Sequence, residues 1–422
     1  MGGIIIGNRG SKDTELVEIE ARDRKHHAYI VGQTGTGKST LIKNMAVQDI
    51  RSGAGVAVVD PHGDLIEDIL NFIPKSRTND VIYFNPADSV RPSGLNLLEA
   101  RGEDEKQLVA SSLVSVFRHL WRSSWGPRTE FLLYNAVLAL MDTPGQTLLG
   151  VYRILIDAGF RKRIVSNVKD PMVRTFWVED FERYSERFVK EVIAPLQNKV
   201  GQLLTSPYLR NIVGQPKSTI DARAVLDDQK ILLVNLSKGR IGEDRANLLG
   251  SVVITKLYLA ALERQRTPEA KRKDFYLYVD EFQNFSTDVF PSILSEARKY
   301  GLNLILAHQY LDQVPENTRS SVFGNVGAWL IFRVGSMDAA VLEKEFFPYF
   351  DLEDMRRQKN YEIIYKLLSG GVAADPSFAR TPAPVELQGD EAGSEAVIKK
   401  SREQFTRERG SVEEKIKRWF AS

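Results

Sequence analysis

The sequence of 422 residues contains no cysteine, which excludes disulfide bonds, thiolate metal sites and cysteine nucleophiles. Its five histidines show no paired spacing typical of a metal site. No uninterrupted apolar run approaches the roughly 20 residues that span a bilayer, and no signal peptide is recognisable at the N-terminus. We therefore expect a cytoplasmic protein without membrane contact from the chain as given. An anchor at the inner face of the cell membrane, upstream of Met1, stays open.

A large excess of charge of one sign is also lacking. The chain has 57 Lys and Arg against 55 Asp and Glu, a formal net charge of +2. This excludes the bulk basicity of a histone-like protein, so any nucleic-acid surface must be local, such as a pore lining or a stripe. Hydrophobic residues make up 43% of the chain, enough to bury a substantial core.

Short apolar runs without clean alternation recur along the chain and predict buried strands. Such runs are typical of parallel strands covered on both faces. Helical patterns at 38–51 and 245–264 lie between them, which indicates a doubly wound α/β core. The predicted strands are 28–31, 56–59, 81–84, 231–236, 275–279, 304–307 and 329–334.

The alternation of strands and helices stops between residues 102 and 205, where apolar residues recur at helical spacing. We predict a first half of the core at 1–101, an all-helical insertion at 102–205 and a second half of the core at 206–384. A charged C-terminal tail follows at 385–422, with a short helix at 411–420. A hairpin is expected where 361–368 and 377–381 flank Gly370 and Gly371.

Residues 32–40 read GQTGTGKST and satisfy the phosphate-loop pattern G-x-x-x-x-G-K-[ST]. An apolar strand ends just before this segment and a helical pattern begins at its lysine, as phosphate binding at a helix N-terminus requires. Gly35 and Gly37 allow the backbone N–H groups to point at phosphate oxygens. A glycine-rich turn without a ligand is the alternative.

The last three residues of this loop each have a specific expected contact with Mg²⁺-ATP. Lys38 should reach the β- and γ-phosphates, the Ser39 hydroxyl should ligate Mg²⁺, and Thr40 should contact the α-phosphate. The predicted nucleotide-binding residues are Gly32, Thr34, Gly35, Thr36, Gly37, Lys38, Ser39 and Thr40.

Polar residues follow three of the predicted strands. Asp280 and Glu281 end the run FYLYVDE; we expect Asp280 to hold Mg²⁺ and Glu281 to polarise the attacking water. Gln309, after NLILAH, is expected to contact the γ-phosphate or its water, or alternatively to cap the strand. Asp60, at the end of the second strand, is expected near the metal or as an orienting group.

These segments together resemble a known family. The order VGQTGTGKST, VVDPHGDL, YVDEFQNF and EARKYGLNLILAHQ resembles the HerA/FtsK superfamily of hexameric motors. It is most similar to the cytosolic ATPase part of TraD/TraG-like conjugative coupling proteins of type IV secretion systems. The resemblance implies an α/β RecA-like P-loop NTPase core with a mostly parallel sheet, interrupted by an all-helical domain.

The resemblance also implies partners and further site residues. The partners are copies of the same chain in a ring, with ATP between neighbours, and DNA in the central channel; secretion-channel or relaxosome proteins are further partners. Arg298 matches the arginine that faces the neighbour's γ-phosphate, while Arg24 and Arg333 are weaker candidates. As given, the sequence is expected to depart from the coupling proteins by the lack of an N-terminal transmembrane hairpin, and from HerA-like motors by the lack of an N-terminal barrel.

Two short basic segments are candidates for DNA backbone contacts, which need Lys and Arg but no base reading. Lys217 lies in GQPKS, and Lys238 and Arg240 lie in SKGR. Ordinary turn residues are the alternative, and the basic run 161–163 is either a DNA entry surface or a solvated helix face.

The expected function is an ATP-driven hexameric DNA-translocating motor with DNA-stimulated ATP hydrolysis. The alternatives are a coupling ATPase that recruits protein substrates to a secretion channel, and a soluble HerA-like repair or defence helicase. A nucleotide-dependent switch is disfavoured because Glu281 and Gln309 suit rapid turnover.

Overall fold

The structure, a computed structural model, describes residues 3–10, 14–184 and 186–421, with the side chains of all these except 186–190 and 192. The chain forms two compact units. The first, called the sheet unit, comprises Met1–Phe84, Ala222–Leu236 and Lys256–Ser401. The second, called the helical unit, comprises Asn85–Asp221, Ser237–Thr255 and Arg402–Ser422, and its described residues contain no strand.

An 11-stranded sheet forms the centre of the sheet unit, in the order β2-β1-β13-β10-β9-β3-β8-β7-β4-β6-β5, and β11 and β12 pair separately. The strands are β1 Ile4–Arg9, β2 Glu15–Ile19, β3 Ala28–Val31, β4 Gly55–Asp60, β5 Val81–Phe84, β6 Ile231–Asn235, β7 Phe275–Val279, β8 Leu302–His308, β9 Ala328–Ile331, β10 Glu362–Lys366, β11 Leu368–Ser369, β12 Val372–Ala373 and β13 Ser377–Arg380.

The strands from β9 to β5 in this order pair in parallel. Every residue of β3, β4, β7 and β8 is buried, as the apolar runs without alternation predicted. The prediction of an α/β fold with a mostly parallel sheet is therefore confirmed. Because parallel strands end at one edge of the sheet, the residues after β3, β4, β7 and β8 share that edge.

Some observed strand boundaries differ from the predicted ones by a few residues, and one hairpin was not predicted. The strands predicted at 304–307 and 329–334 are Leu302–His308 and Ala328–Ile331. The missed hairpin is β1–β2 at the N-terminus. The side-chain amide of Gln48 accepts from the N–H of Ile5 and donates to its carbonyl, both at 3.0 Å, which fixes β1 against the helix Lys38–Arg51. The predicted hairpin near Gly370 is confirmed, since β10 and β13 pair antiparallel.

Helices cover the sheet and form the helical unit. Their bounds are α1 Lys38–Arg51, α2 Asp64–Leu70, α3 Glu103–Leu120, α4 Pro127–Met141, α5 Leu148–Ile156, α6 Ala158–Ser166, α7 Pro171–Thr175, α8 Phe181–Arg183, α9 Glu186–Leu204, α10 Pro207–Val213, α11 Ala222–Asp227, α12 Lys238–Ile241, α13 Glu243–Leu262, α14 Phe290–Glu296, α15 Glu316–Asn325, α16 Ser336–Phe346, α17 Leu352–Arg357, α18 Ser394–Phe405 and α19 Arg409–Ala421.

The C-terminal tail contains two helices, of which α18 was not predicted. The last helix, α19, packs within the helical unit. The Trp419 ring meets the Phe160 ring edge-on at 5.6 Å, and the Trp419 carbonyl accepts a hydrogen bond of 2.7 Å from Arg153. The tail is therefore divided: its residues up to Ser401 belong to the sheet unit, and Arg402–Ser422 with α19 belongs to the helical unit.

One described helical stretch, Glu243–Arg266, is long and apolar enough to cross a membrane by length and composition. In the apolar 18-residue segment of this stretch, 78% of the residues are buried in the protein. The core helix of a soluble protein passes the same test.

A buried ion pair joins the start of the sheet unit's core to the end of α1. The Arg24 guanidinium donates to both carboxylate oxygens of Asp49 at 2.6 Å and lies 3.6 Å over the Tyr276 ring. The Tyr278 hydroxyl donates to Asp49 at 2.5 Å. Arg24 is therefore enclosed in its own subunit, and the proposal that it serves an inter-subunit site was wrong because Asp49 already neutralises it.

Arg24→Ala should destabilise the sheet unit by about 3–5 kcal/mol, because it leaves the Asp49 carboxylate buried without its cation. Arg22→Ala is the matched control: Arg22 pairs with Glu20 at 2.8 Å but is 64% exposed, so its loss should cost under about 1 kcal/mol. Denaturant unfolding of both variants measures the difference. Equal stabilities would show that Asp49 does not depend on Arg24.

Candidate active site

The loop between β3 and α1 has the backbone that its glycines predicted. Gly35 and Gly37 have φ values of +77° and +115°, in the left-handed region that favours glycine. A Cβ at Gly32 would come within 2.5 Å of the Phe332 Cβ. Thr34, Gly35 and Ser39 are exposed, and α1 begins at Lys38. The loop therefore presents unpaired N–H groups at a helix N-terminus, the usual arrangement for binding phosphate.

Lys38 folds back over this loop. Its ammonium group donates to the carbonyls of Gly32 at 2.6 Å and Gln33 at 3.1 Å. Burial lowers the pKa of Lys38, and the carboxylates of Glu281 and Asp280 oppose that change. A buried ammonium held by neutral carbonyls is well suited to bind an anion.

Asp60 forms part of the turn at the end of β4. Its carboxylate accepts from the backbone N–H groups of His62 at 2.8 Å and Leu65 at 3.0 Å, and so caps the first turn of α2. Its charge also contributes to raising the pKa of Asp280. The structure therefore places Asp60 beside the site, with both oxygens engaged by backbone donors.

Asp280, directly after β7, is buried and has a raised pKa. Burial, and then the negative charges of Asp60 and Glu281, raise the pKa of Asp280 to about 7, while Lys38 opposes the change. Among the described residues no group of three or more acidic, His or Cys side chains forms a metal site. One carboxylate beside a phosphate loop fits Mg²⁺, which is held by one or two carboxylates together with substrate phosphates.

Asp280→Asn should stabilise the protein in the absence of Mg²⁺, increasingly as the pH rises. The unfolded carboxyl ionises near pH 3.8 and the folded one near 7, so the wild type loses stability between these pH values. Above pH 7, this loss in the free energy of unfolding reaches at most about 4 kcal/mol. Thermal unfolding at pH 4.5, 6 and 8 measures it. A gap between variant and wild type that does not grow with pH would contradict the raised pKa.

Glu281 is held in place by amide groups from two directions. Its carboxylate accepts hydrogen bonds of 2.6 Å from the side chains of Gln283 and Gln309. The Gln309 carbonyl oxygen accepts from the Thr34 hydroxyl in the phosphate loop at 2.9 Å. Glu281 also has a left-handed backbone, φ +49°, and such strain clusters at functional sites. Thr34, Gln309, Glu281 and Gln283 thus form one polar chain, called here the amide chain.

A buried histidine fixes the end of β8, next to Gln309. The His308 Nδ1 lies 3.0 Å from the Tyr310 carbonyl, which can only accept, so Nδ1 carries the proton and Nε2 accepts from the Tyr29 hydroxyl. Burial lowers the pKa of His308 to about 3, so the ring is neutral. His308, Tyr29 and Gln283 were not among the predicted site residues. The only signal for His308 and Gln283 was their position beside Gln309 and Glu281.

Arg298 lies far from the amide chain of its own subunit. It is exposed just before β8, with its Nη1 2.9 Å from Nδ1 of His26. Gln309 follows the other end of this strand, which at about 3.3 Å per residue places the two roughly 20 Å apart. Arg333 instead lies beside its own phosphate loop, with Nε 3.4 Å from Oε1 of Gln33. Of the three candidate arginines, Arg24 and Arg333 contact groups of their own subunit's core or phosphate loop, whereas Arg298 is exposed.

The three basic residues predicted to contact DNA all belong to the helical unit. Lys217 and Arg240 are exposed and Lys238 is half-buried. Lys238 and Arg240 lie on the single helical turn α12, which corrects the expected loop. Within the described part of the chain none of the three forms an ion pair. In the run 161–163, Arg161 lies 4.9 Å over the Phe181 ring and is partly buried, so it is not a solvated surface charge.

Comparisons with known proteins agree on the fold. The chain has 15% identity with the unbound bacterial conjugative coupling protein TrwBdeltaN70, with a TM-score of 0.66 over 88% of this chain and 89% of that one. The plasmid coupling protein TrwB in complex with ADP and Mg²⁺ gives 14% identity and a TM-score of 0.65 over 93% and 97%. VirB4 of Thermoanaerobacter pseudethanolicus gives 15% and 0.61 over 90% and 97%. No curated protein sequence matched the chain.

These structures share the RecA-like P-loop fold, which confirms the predicted fold class. The family described as the type IV secretion-system coupling protein DNA-binding domain matches residues 14–363, most of the chain. The resemblance to coupling proteins is thereby confirmed, and the chain belongs to this family.

Proposed function

We propose that this chain is an ATP-hydrolysing motor that moves DNA, working as a ring with each site completed by a neighbouring subunit. The observation that carries the proposal is the amide chain, which links Glu281 to the phosphate loop through Gln309 and Thr34. A fixed carboxylate joined to a phosphate loop is what hydrolysis of a terminal phosphate requires.

ATP binding begins with Lys38. Its ammonium group leaves the carbonyls of Gly32 and Gln33 and turns to the β- and γ-phosphates, while loop N–H groups bind phosphate oxygens. Ser39 and Asp280 would hold Mg²⁺, which when bound neutralises charge on the phosphates. TrwB is known in complex with ADP and Mg²⁺, and the same ligands are proposed for this chain.

Hydrolysis needs an oriented water. Glu281 lies at the end of β7 with its carboxylate already fixed by two amides, so it accepts a proton from water without first reorganising. Gln309 touches both Glu281 and the loop residue Thr34. Loss of the γ-phosphate changes the contacts of Gln309, and this change is passed on to the polypeptide that follows β8.

The neighbouring subunit supplies Arg298. At roughly 20 Å from its own amide chain, this exposed guanidinium serves the γ-phosphate of the adjacent copy, where it stabilises charge in the transition state. A ring of head-to-tail contacts gives each copy one such site. We propose six copies with DNA in the central channel, and the helical segment 102–205 as a domain inserted into the ATPase core.

DNA is held by cations that contact only its backbone, so that it can slide. Lys217, Lys238 and Arg240 are without ion-pair partners in the described chain, and the family is described as a DNA-binding domain. Replacing all three by Gln should weaken binding of linear duplex DNA equally for all sequences. The slope of log affinity against log salt should fall by about 3.

The matched control replaces Lys271, Lys344 and Lys359 by Gln, three exposed lysines of the sheet unit. The control removes the same charge and should leave the salt slope unchanged. Fluorescence anisotropy across a salt series measures both variants. The same loss of slope in both variants would assign DNA binding to general charge rather than to these three residues.

A further inference from the structure

The ring of Tyr361 lies against the phosphate loop. The Tyr361 N–H donates to the Thr36 carbonyl at 2.8 Å, and its own carbonyl accepts from the Thr381 N–H at 2.8 Å. A Cβ placed on Gly37 would come within 2.8 Å of Cδ1 of the Tyr361 ring. The ring is therefore in contact with the loop residue that precedes Lys38, and its backbone is fixed from both sides.

Neither burial nor hydrogen bonding explains a tyrosine at this position. The backbone has φ +67°, a conformation rare for aromatic residues. The side chain is 46% exposed, and among the described residues no partner bonds its hydroxyl. A half-exposed aromatic ring on a strained backbone, beside a phosphate loop, is accessible to a ligand bound at that loop.

The ring lies on the side of the loop away from the hydrolytic residues. In the sheet, β10 and β9 lie on one side of β3 and β8 and β7 on the other. Tyr361 directly precedes β10, whereas Glu281 and Gln309 follow β7 and β8. A nucleotide whose terminal phosphate points toward Glu281 must extend its nucleoside the opposite way, toward Tyr361.

Arg333 holds this arrangement together. Its Nη1 donates to the Gln358 carbonyl at 3.2 Å and its Nε lies 3.4 Å from Oε1 of Gln33. The segment that leads into Tyr361 is thus tied to the first turn of the phosphate loop. Arg333 is a positioning residue within its own subunit.

We propose that Tyr361 is the platform on which the base of the bound nucleotide stacks. The inference rests on the proposed nucleotide site and adds the residue that binds the nucleoside end. Every base has a π face, and stacking on an aromatic side chain strengthens binding without reading the base edge. The ring therefore adds affinity for a nucleotide but none for phosphate alone.

The test compares ADP with inorganic pyrophosphate, both with Mg²⁺, by isothermal titration calorimetry on the full chain. Tyr361→Asn removes the ring, and Asn tolerates the left-handed backbone. It should weaken ADP binding about tenfold and leave pyrophosphate binding unchanged. Tyr361→Phe should bind ADP as the wild type does. Tyr208→Asn, at an exposed tyrosine of α10, is the matched control and should change neither.

The outcomes separate this inference from the function on which it rests. Unchanged ADP affinity in Tyr361→Asn would overturn the platform while leaving the nucleotide site intact. Equal losses of ADP and pyrophosphate would also overturn it, since the ring would then only shape the loop. A wild type that binds neither ligand would overturn the nucleotide site itself, and the platform with it.

Discussion

Glu281→Gln should lower the rate constant of ATP hydrolysis by about 10²–10⁴-fold while nucleotide affinity stays within a few-fold. The substitution keeps the size of the side chain but removes the proton acceptor. The phosphate loop and Lys38 are untouched, so binding persists. Single-turnover hydrolysis and equilibrium nucleotide binding separate the two effects.

Glu67→Gln is the matched control for this variant. Glu67 is exposed in α2 of the same unit, and its replacement should change neither rate nor affinity. If Glu281→Gln hydrolysed ATP at the wild-type rate, another group would have to activate the water, and the amide chain would be structural only.

Arg298→Ala should lower the turnover number by about 10³-fold or more, the usual contribution of an arginine supplied in trans. Its side chain is exposed and contacts His26, so the fold should be preserved. Arg298→Lys should restore little, because an ammonium lacks the planar fork. Lys299→Ala, at the next exposed position, is the matched control and should remain active.

Mixing the two inactive variants shows whether Arg298 acts on a neighbour. In a mixed ring, an Arg298→Ala subunit contributes Glu281 and an adjacent Glu281→Gln subunit contributes Arg298. Random mixing at equal amounts should make about a quarter of the interfaces intact. The mixture should therefore recover about that fraction of the wild-type activity. No recovery from rings shown to exchange subunits would place Arg298 outside the active site.

The sequence predicted best where a pattern is local. Strands 28–31 and 275–279 and helix 38–51 have the predicted bounds, because each apolar run lies beside glycines or charged residues that end it. The phosphate loop follows from its glycines in the same way. The positions of Asp280 and Glu281 follow from the rule that parallel strands end at one edge.

Contacts between distant parts of the chain could not be predicted. Arg24 was considered for an inter-subunit role because it lies just before the first core strand, and nothing in the sequence links it to Asp49, at the far end of α1. Arg333 was considered for the same role, although it contacts Gln33 in its own phosphate loop. For the same reason nothing indicated that Tyr29 bonds His308. For Arg333 and Tyr29 the partner lies on or beside a strand far away in sequence, and for Arg24 it lies at the far end of α1.

The measurement that tests the central claim most directly is steady-state ATP hydrolysis across a range of protein concentrations, with and without linear DNA. Lys38→Ala serves as the inactive control. We expect the rate per subunit to rise steeply with concentration, DNA to stimulate it, and the control to be inactive. A rate per subunit that stays constant in a confirmed monomer, and that DNA leaves unchanged, would contradict a DNA motor whose site is completed by its neighbour.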